Sequence, residues 1–333
     1  MWKKVSAIVI PTLIAVALLG FMLLRVWDEL QENIESILEA LVPSWLFAAV
    51  GICILAWFIR GFRYQYIVKR LGTKIGLIFS TACIYVSQTA NLILPARLGD
   101  FVRMFILKHE KGTPYTNGFT SLIAERVYDI LIIAVLGLCS LPFLITLIPA
   151  EYEWLIQLII LVVIAGVIGI LVLFLARWMH TENTFLKKIL EIFAQFRQVS
   201  SSVSSFGLLS GTTIVIWMMD VLICYIVSLM FSVYIPFMLI LLAIVIGNLI
   251  KAVPITPGGI GTYEAALALV FELGGVASST AFLIAVIDHL IKNLVTLAGG
   301  VISLYYFGDW AVSLLKRLFK EDTKKLKEDE NNL

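Results

Sequence analysis

The stretch NLIKAVPITPGGIGTYEAALAL, Asn248 to Leu269, lies in a very apolar part of the chain and cannot form one continuous helix. Pro254 and Pro257 each remove a helical N–H and clash with the preceding turn, and Gly258, Gly259 and Gly261 add backbone freedom. The stretch therefore predicts two short helical arms joined by an unwound elbow. Non-helical backbone at membrane depth survives only where protein or water satisfies its polar groups. Lys251 before the elbow and Glu264 after it favour a polar, wet surrounding, the usual form of a binding site inside a bilayer.

The whole chain has the composition such an elbow requires. Of its 333 residues 60% are hydrophobic and 14% charged, and its mean hydropathy is +0.98. Soluble domains carry about 25% charged residues, so a polytopic, all-α membrane helix bundle is expected. A net charge of +2 says nothing about nucleic acid, but no basic, aromatic-interleaved patch resembles a nucleic-acid surface, so no such partner is expected. Cys53, Cys83, Cys139 and Cys224 sit in apolar runs without paired spacing and read as small buried hydrophobes; with three scattered histidines they give no metal site and imply no cofactor.

The positive-inside rule orders the spans. Val5 to Val26 is a first span with a cytoplasmic amino terminus, and Asp28 to Val42 is an acidic amphipathic helix at the outer interface. Pro43 to about Arg60 returns to a basic segment that includes Arg60 and Arg63. Ile75 to about Gly112 is followed or interrupted by Arg97, Arg103, Lys108 and Lys111, so it is expected to dip in and return, broken at Pro95 and Gly99. Ser121 to Ile148 and Trp154 to Ala176 cross next, joined by a connection holding Glu151 and Glu153. Arg177 to Ser205 rests on the inner leaflet, Gly207 to Met230 crosses, Ile235 to Leu273 is a second hairpin, and Ser278 to Tyr305 is the last span. Residues 1–315 form one membrane domain and 316–333 a charged cytoplasmic tail, placing both termini in the cytoplasm of a multi-pass cell-membrane protein. This map of six spans and two re-entrant hairpins accounts for twenty-one of the 25 Lys and Arg on the inside; eight full spans are the alternative. Span, hairpin, span then recurs inverted over 43–148 and 207–305, each hairpin carrying Asn-Leu-Ile before its break, at Asn91 and at Asn248.

Three stretches carry a family likeness: LPARLGDFVRMFIL (Leu94 to Leu107), AERVYDIL (Ala124 to Leu131) and TPGGIGTYEAAL (Thr256 to Leu267). Through them the chain resembles the membrane domain of lysylphosphatidylglycerol synthases, a flippase-like family. The resemblance implies a lipid-handling membrane protein and, in some relatives, movement of a charged phospholipid between leaflets. Relatives that synthesise aminoacyl lipids carry a soluble catalytic domain after the membrane part, whereas this sequence ends shortly after Lys327, so transferase chemistry is not expected of it. Relatives commonly show an arginine in the last span, where Asp288, His289 and Lys292 stand here.

Several charged groups are candidates for substrate binding. Arg97 and Arg103 flank Asp100, and a guanidinium offers a planar fork for phosphate or carboxylate. Glu125 and Asp129, four apart around Arg126, share a helix face and require a cation such as Arg97 or Arg103. Lys251, Pro257, Gly258, Gly259, Gly261 and Glu264 form the elbow, with Lys251, His289 or Lys292 as partners for Glu264. Asp220, with no local partner, and Asp288, His289 and Lys292 are candidates for proton or ion coupling, Asp288 and Lys292 also reading as a mutually neutralising i,i+4 pair. The expected function is a lipid transporter or flippase for a phospholipid or polyprenyl-linked headgroup. A non-catalytic partner presenting lipid to a separate glycosyl- or aminoacyl-transferase is the second reading, an enzyme using intramembrane Glu and His the third, and self-association is compatible with either of the first two.

Overall fold

The computed structural model describes residues 2–94, 97–147, 183–253 and 255–308 without interruption, with Trp310 and part of 154–169. Among these every regular element is helical. The α-helices are α1 (Trp2–Arg25), α2 (Trp27–Ala40), α3 (Ser44–Arg70), α4 (Leu77–Ile93), α5 (Gly99–Lys111), α6 (Tyr115–Leu147), α7 (Thr184–Val199), α8 (Val203–Met230), α9 (Phe237–Ala252), α10 (Thr262–Leu273) and α11 (Ser278–Phe307). A 3₁₀ turn, Pro257–Gly259, separates α9 from α10.

Three described helices, α3, α8 and α11, are long and apolar enough to cross a membrane, and the pair α1 and α2, bent by 72°, can supply a fourth. Side chains such as Phe47, Ile302 and Leu24 are exposed on the outside, the inversion of a soluble surface that a membrane protein requires. The acidic helix α2 buries no residue, as an interfacial helix should. The crossing expected at Trp154 to Ala176, the acidic connection before it, Pro95, Pro254 and the tail 316–333 lie wholly or largely outside the described residues.

α3 packs along α8 at the centre; α4 lies against α3, α5 and α11, while α9 lies against α8, α10 and α6. Small residues permit the close approaches. At Gly61 a Cβ would sit 2.9 Å from Thr81 Cα, where α3 meets α4, and at Gly247 it would run into Leu267 and Tyr263, where α9 meets α10. One large core joins these helices, and a smaller cluster built on Ile67, Tyr128, Phe196 and Leu209 seats α7 on α3 and α6.

Several helix boundaries recur at a nearly constant interval. α3 and α8 end at Arg70 and Met230, and α4 and α9 begin at Leu77 and Phe237, an offset of 160 residues (230 − 70). Both helix ends turn in the same way: Gly72 (φ 94°) and Ser232 (φ 56°) take the left-handed conformation, and Thr73 N–H and Val233 N–H donate back to Val68 O and Ser228 O at 3.1 and 3.0 Å. Past the bends the offset is 163, from Tyr115 to Ser278 (278 − 115). At the 160-residue interval Asn91 falls opposite Lys251, three residues past Asn248.

Candidate functional site

Both bends meet one cavity. The first follows α4 at Leu94, where the chain turns through Arg97, a non-glycine residue at φ 57°, a conformation costing about 1–3 kcal/mol that persists where its surroundings demand it. The second is the Pro257–Gly259 turn, which packs against the end of α4. A Cβ at Gly258 (φ 63°) would reach Leu92, and one at Gly259 (φ 79°) would lie 2.6 Å from Lys251 Cγ, so glycine is required for the turn to close on its neighbours. Between them lies a space of about 420 Å³, comparable with small-molecule sites.

Seven cations line it: Arg60 and Arg63 on α3, Arg97 and Arg103 at the first bend, Arg126 on α6, Lys251 on α9 and Lys292 on α11. Four carboxylates, Asp100, Glu125, Asp129 and Asp220, line it too. Arg60 holds Asp220 with Nη2 2.9 and 2.8 Å from the two oxygens and lies over the Trp57 ring. Arg63 donates to Asp129 at 2.7 Å and to Thr213 at 2.9 Å. Arg103, 1% exposed, is paired with Glu125 and lies over Tyr64. Asp100 accepts from Asn91 and Gln88 at 2.9 and 3.1 Å. It stands 3.8 Å from Arg97. Arg126 is 3.6 Å from Asp129, a carboxylate Arg63 already holds.

Behind the elbow runs a chain of polar contacts. An ammonium only donates, so Lys251 Nζ donates to His289 Nε2 (3.0 Å), leaving the His289 Nδ1–H to donate to Glu264 Oε1 (2.7 Å). The other oxygen, Oε2, accepts from Gly261 N–H at 2.7 Å, at the open N-terminus of α10. Beside it, Tyr263 donates to Asp288 Oδ2 at 2.9 Å, and Lys292 donates to the same oxygen at 2.8 Å and to the Tyr263 hydroxyl at 3.2 Å. Tyr263→Phe is expected to lower stability by about 1–3 kcal/mol by stranding these partners, measured as a fall in the unfolding midpoint in detergent.

The structure thus gathers most of the sequence candidates around one space. Glu264, Asp288 and His289 stand behind its wall, and Pro257 and Gly261 shape the elbow backbone. Glu264 takes His289 from its three proposed partners, and Glu125 takes Arg103. Asp220, without a partner in its own stretch, is held by Arg60 from α3, and of the Glu125 and Asp129 pair Asp129 is held by Arg63. Arg60 and Arg63 lie within α3 rather than in the basic segment the sequence suggests: the helix continues to Arg70, so both line the cavity from it. Trp57, Arg60 and Tyr64, spaced three and four apart, mark that inward face in the sequence. Of the cysteines, Cys53, Cys83 and Cys224 are buried, while Cys139 is exposed.

An all-helical membrane protein with a charged internal cavity is the class these features define. The model of the lysylphosphatidylglycerol synthase TM region matches residues 8–300, and the chain belongs to that family. It is 31% identical over 315 residues to glycosyltransferase AglD of Haloferax volcanii, covering 82% of this chain and 50% of that protein, so the chain spans about half of that relative's length. It is 24% identical to UPF0104 membrane protein PH1989 of Pyrococcus horikoshii over 91% of this chain and 97% of that protein. With UPF0104 membrane protein MJ1078 of Methanocaldococcus jannaschii it shares 26% identity over 65% of this chain and 92% of that one. No solved structure matches.

Proposed function

We propose that the chain is a lipid transporter of the flippase type, taking the anionic headgroup of a phospholipid or polyprenyl-linked lipid into the cavity while the acyl chains stay in the bilayer. One observation carries this reading: seven cations against four carboxylates line a single space at two helix breaks. In hydrocarbon such groups are retained where they serve a polar pathway.

The architecture is then an inverted repeat, 43–148 and 207–305, in a cell membrane with both termini cytoplasmic. α4 and α9, at 17 and 16 residues, fall short of the ~20 needed to span, in keeping with re-entrant arms. The 160-residue recurrence, with α4 against α11 and α9 against α6, supports two halves that exchange neighbours about a pseudo-twofold axis. Alternating access would swing one hairpin pair against the other, opening the cavity to each leaflet in turn.

Reconstituted vesicles carrying a labelled anionic phospholipid test this. The protein is expected to speed exchange between leaflets above the protein-free rate. Arg97→Ala is expected to weaken headgroup binding about 10–100-fold, the worth of one charge-assisted bond, and to slow exchange with it. Exchange at the protein-free rate by the wild type overturns the reading.

A second reading, a partner that presents lipid to a separate transferase, draws on the likeness to AglD, a protein about twice the length of the matched region and named as a glycosyltransferase. Crosslinking to a transferase with no lipid movement in vesicles would favour it.

A further inference from the structure

The cavity cations are unequally satisfied. Arg60, Arg63 and Lys292 each hold a carboxylate oxygen at 2.8 Å or less, and Arg103 is buried against Glu125. Three others are not. Arg97 is no closer than 3.8 Å to Asp100, whose Oδ1 is taken by amides. Arg126 is 3.6 Å from a carboxylate that Arg63 holds, and its buried Nε has no partner. Lys251 is bonded to a neutral imidazole, and among the described residues no carboxylate lies within ion-pair distance of it. All three line the same cavity, Arg97 at the first bend and Lys251 against Gly259 of the second. Trp217, 8% exposed, lines the same space with its indole N–H unpartnered. Three cations line this one hollow, none of them with a carboxylate closer than 3.6 Å among the described residues and two of them more than a third exposed, which leaves them open to an incoming anion.

We propose that Arg97, Arg126 and Lys251 form a subsite for a terminal phosphate, the phosphomonoester or diphosphate end of a lipid, in preference to the phosphodiester of an ordinary phospholipid. This deepens the lipid-headgroup reading and rests on it. A diester phosphate has two unesterified oxygens and one negative charge. A monoester has three such oxygens and up to two charges, one oxygen for each converging cation. Arg97 and Arg126 present planar forks and Lys251 a point charge, so a tetrahedral group with three free corners has one to offer each of them. A zwitterionic headgroup would bring its own cation into a region already repelling one.

Binding to the full-length protein in detergent micelles tests the assignment, with dioctanoyl phosphatidic acid and farnesyl phosphate as monoesters, dioctanoyl phosphatidylglycerol and phosphatidylcholine as diesters, and inorganic pyrophosphate as a water-borne competitor. The monoesters are expected to bind about tenfold or more tighter than either diester, whichever apolar tail they carry. Lys251→Met with Arg126→Gln is expected to erase that preference, weakening the monoesters more than the diesters, and Lys251→Arg with Arg126→Lys to retain most of it. Should the neutral double variant not fold, the wild-type selectivity series decides alone. Equal binding of monoesters and diesters overturns the subsite and leaves the lipid reading standing; no binding of any lipid overturns that reading too. Pyrophosphate displacing farnesyl phosphate at equal concentration would overturn the lipid source in favour of a soluble phosphate.

Discussion

Glu125→Ala is expected to lower the stability of the folded protein by about 3–5 kcal/mol, the cost of leaving a buried charge without its partner. Arg103 and Glu125 are 1% and 2% exposed, and the guanidinium is held against Glu125 and the Tyr64 ring. Removing the carboxylate strands the cation; it does not merely delete an attraction. Replacing both members with apolar groups of similar size, as Arg103→Met with Glu125→Leu, is expected to recover most of the loss, because buried pairs return little net energy beyond their own desolvation. Reversible unfolding in mixed detergent reads both values. A single variant as stable as wild type would mean that water reaches Arg103, and the hairpin would then be far looser than its packing implies.

The second large effect concerns the first hairpin. Gly99 opens α5 where it crosses α4, and a Cβ there would lie 2.5 Å from Asn91 N and 2.6 Å from Asn91 Oδ1, in addition to meeting Ser87 O. Two of those atoms are backbone and cannot swing aside, so Gly99→Ala must push the arms apart. Overpacking of this kind costs about 1–3 kcal/mol or more, and it acts on the site as well, since Asp100 would leave Asn91 and Gln88. Loss of both thermal stability and headgroup binding is expected. Gly51→Ala, where no atom lies within 4 Å, serves as the control and is expected to be neutral or stabilising by up to about 1 kcal/mol through helix propensity. Equal tolerance at the two positions would contradict the close crossing of α4 and α5.

Much of this was legible in the residues themselves. Apolar runs and the punctuation of Pro and Gly place α1, α3, α8 and α11 within a few residues of their ends, apart from the inner end of α3, and the elbow at Pro257 is where the backbone departs from helix. Asp288 and Lys292 pair as their i,i+4 spacing requires. What the sequence hides is partner choice between distant helices. Nothing local to Asp220 indicates Arg60, 160 residues away, and nothing near Asp129 indicates Arg63. Charge counting by loops errs for a physical reason: an arginine three turns from the end of a long helix is written in the same letters whether it faces headgroups or a carboxylate across a cavity. Trp217 and Tyr263 are hidden likewise, since aromatic residues in apolar runs read as packing until the cavity beside them is seen.

Arg60 and Asp220 stand 160 residues apart, the same interval that separates the ends of α3 and α8, and they pair where these two helices pack. Setting α3 against another α3 would bring guanidinium to guanidinium at that place, and setting α8 against another α8 would oppose carboxylates. The pair therefore selects unlike helices as neighbours.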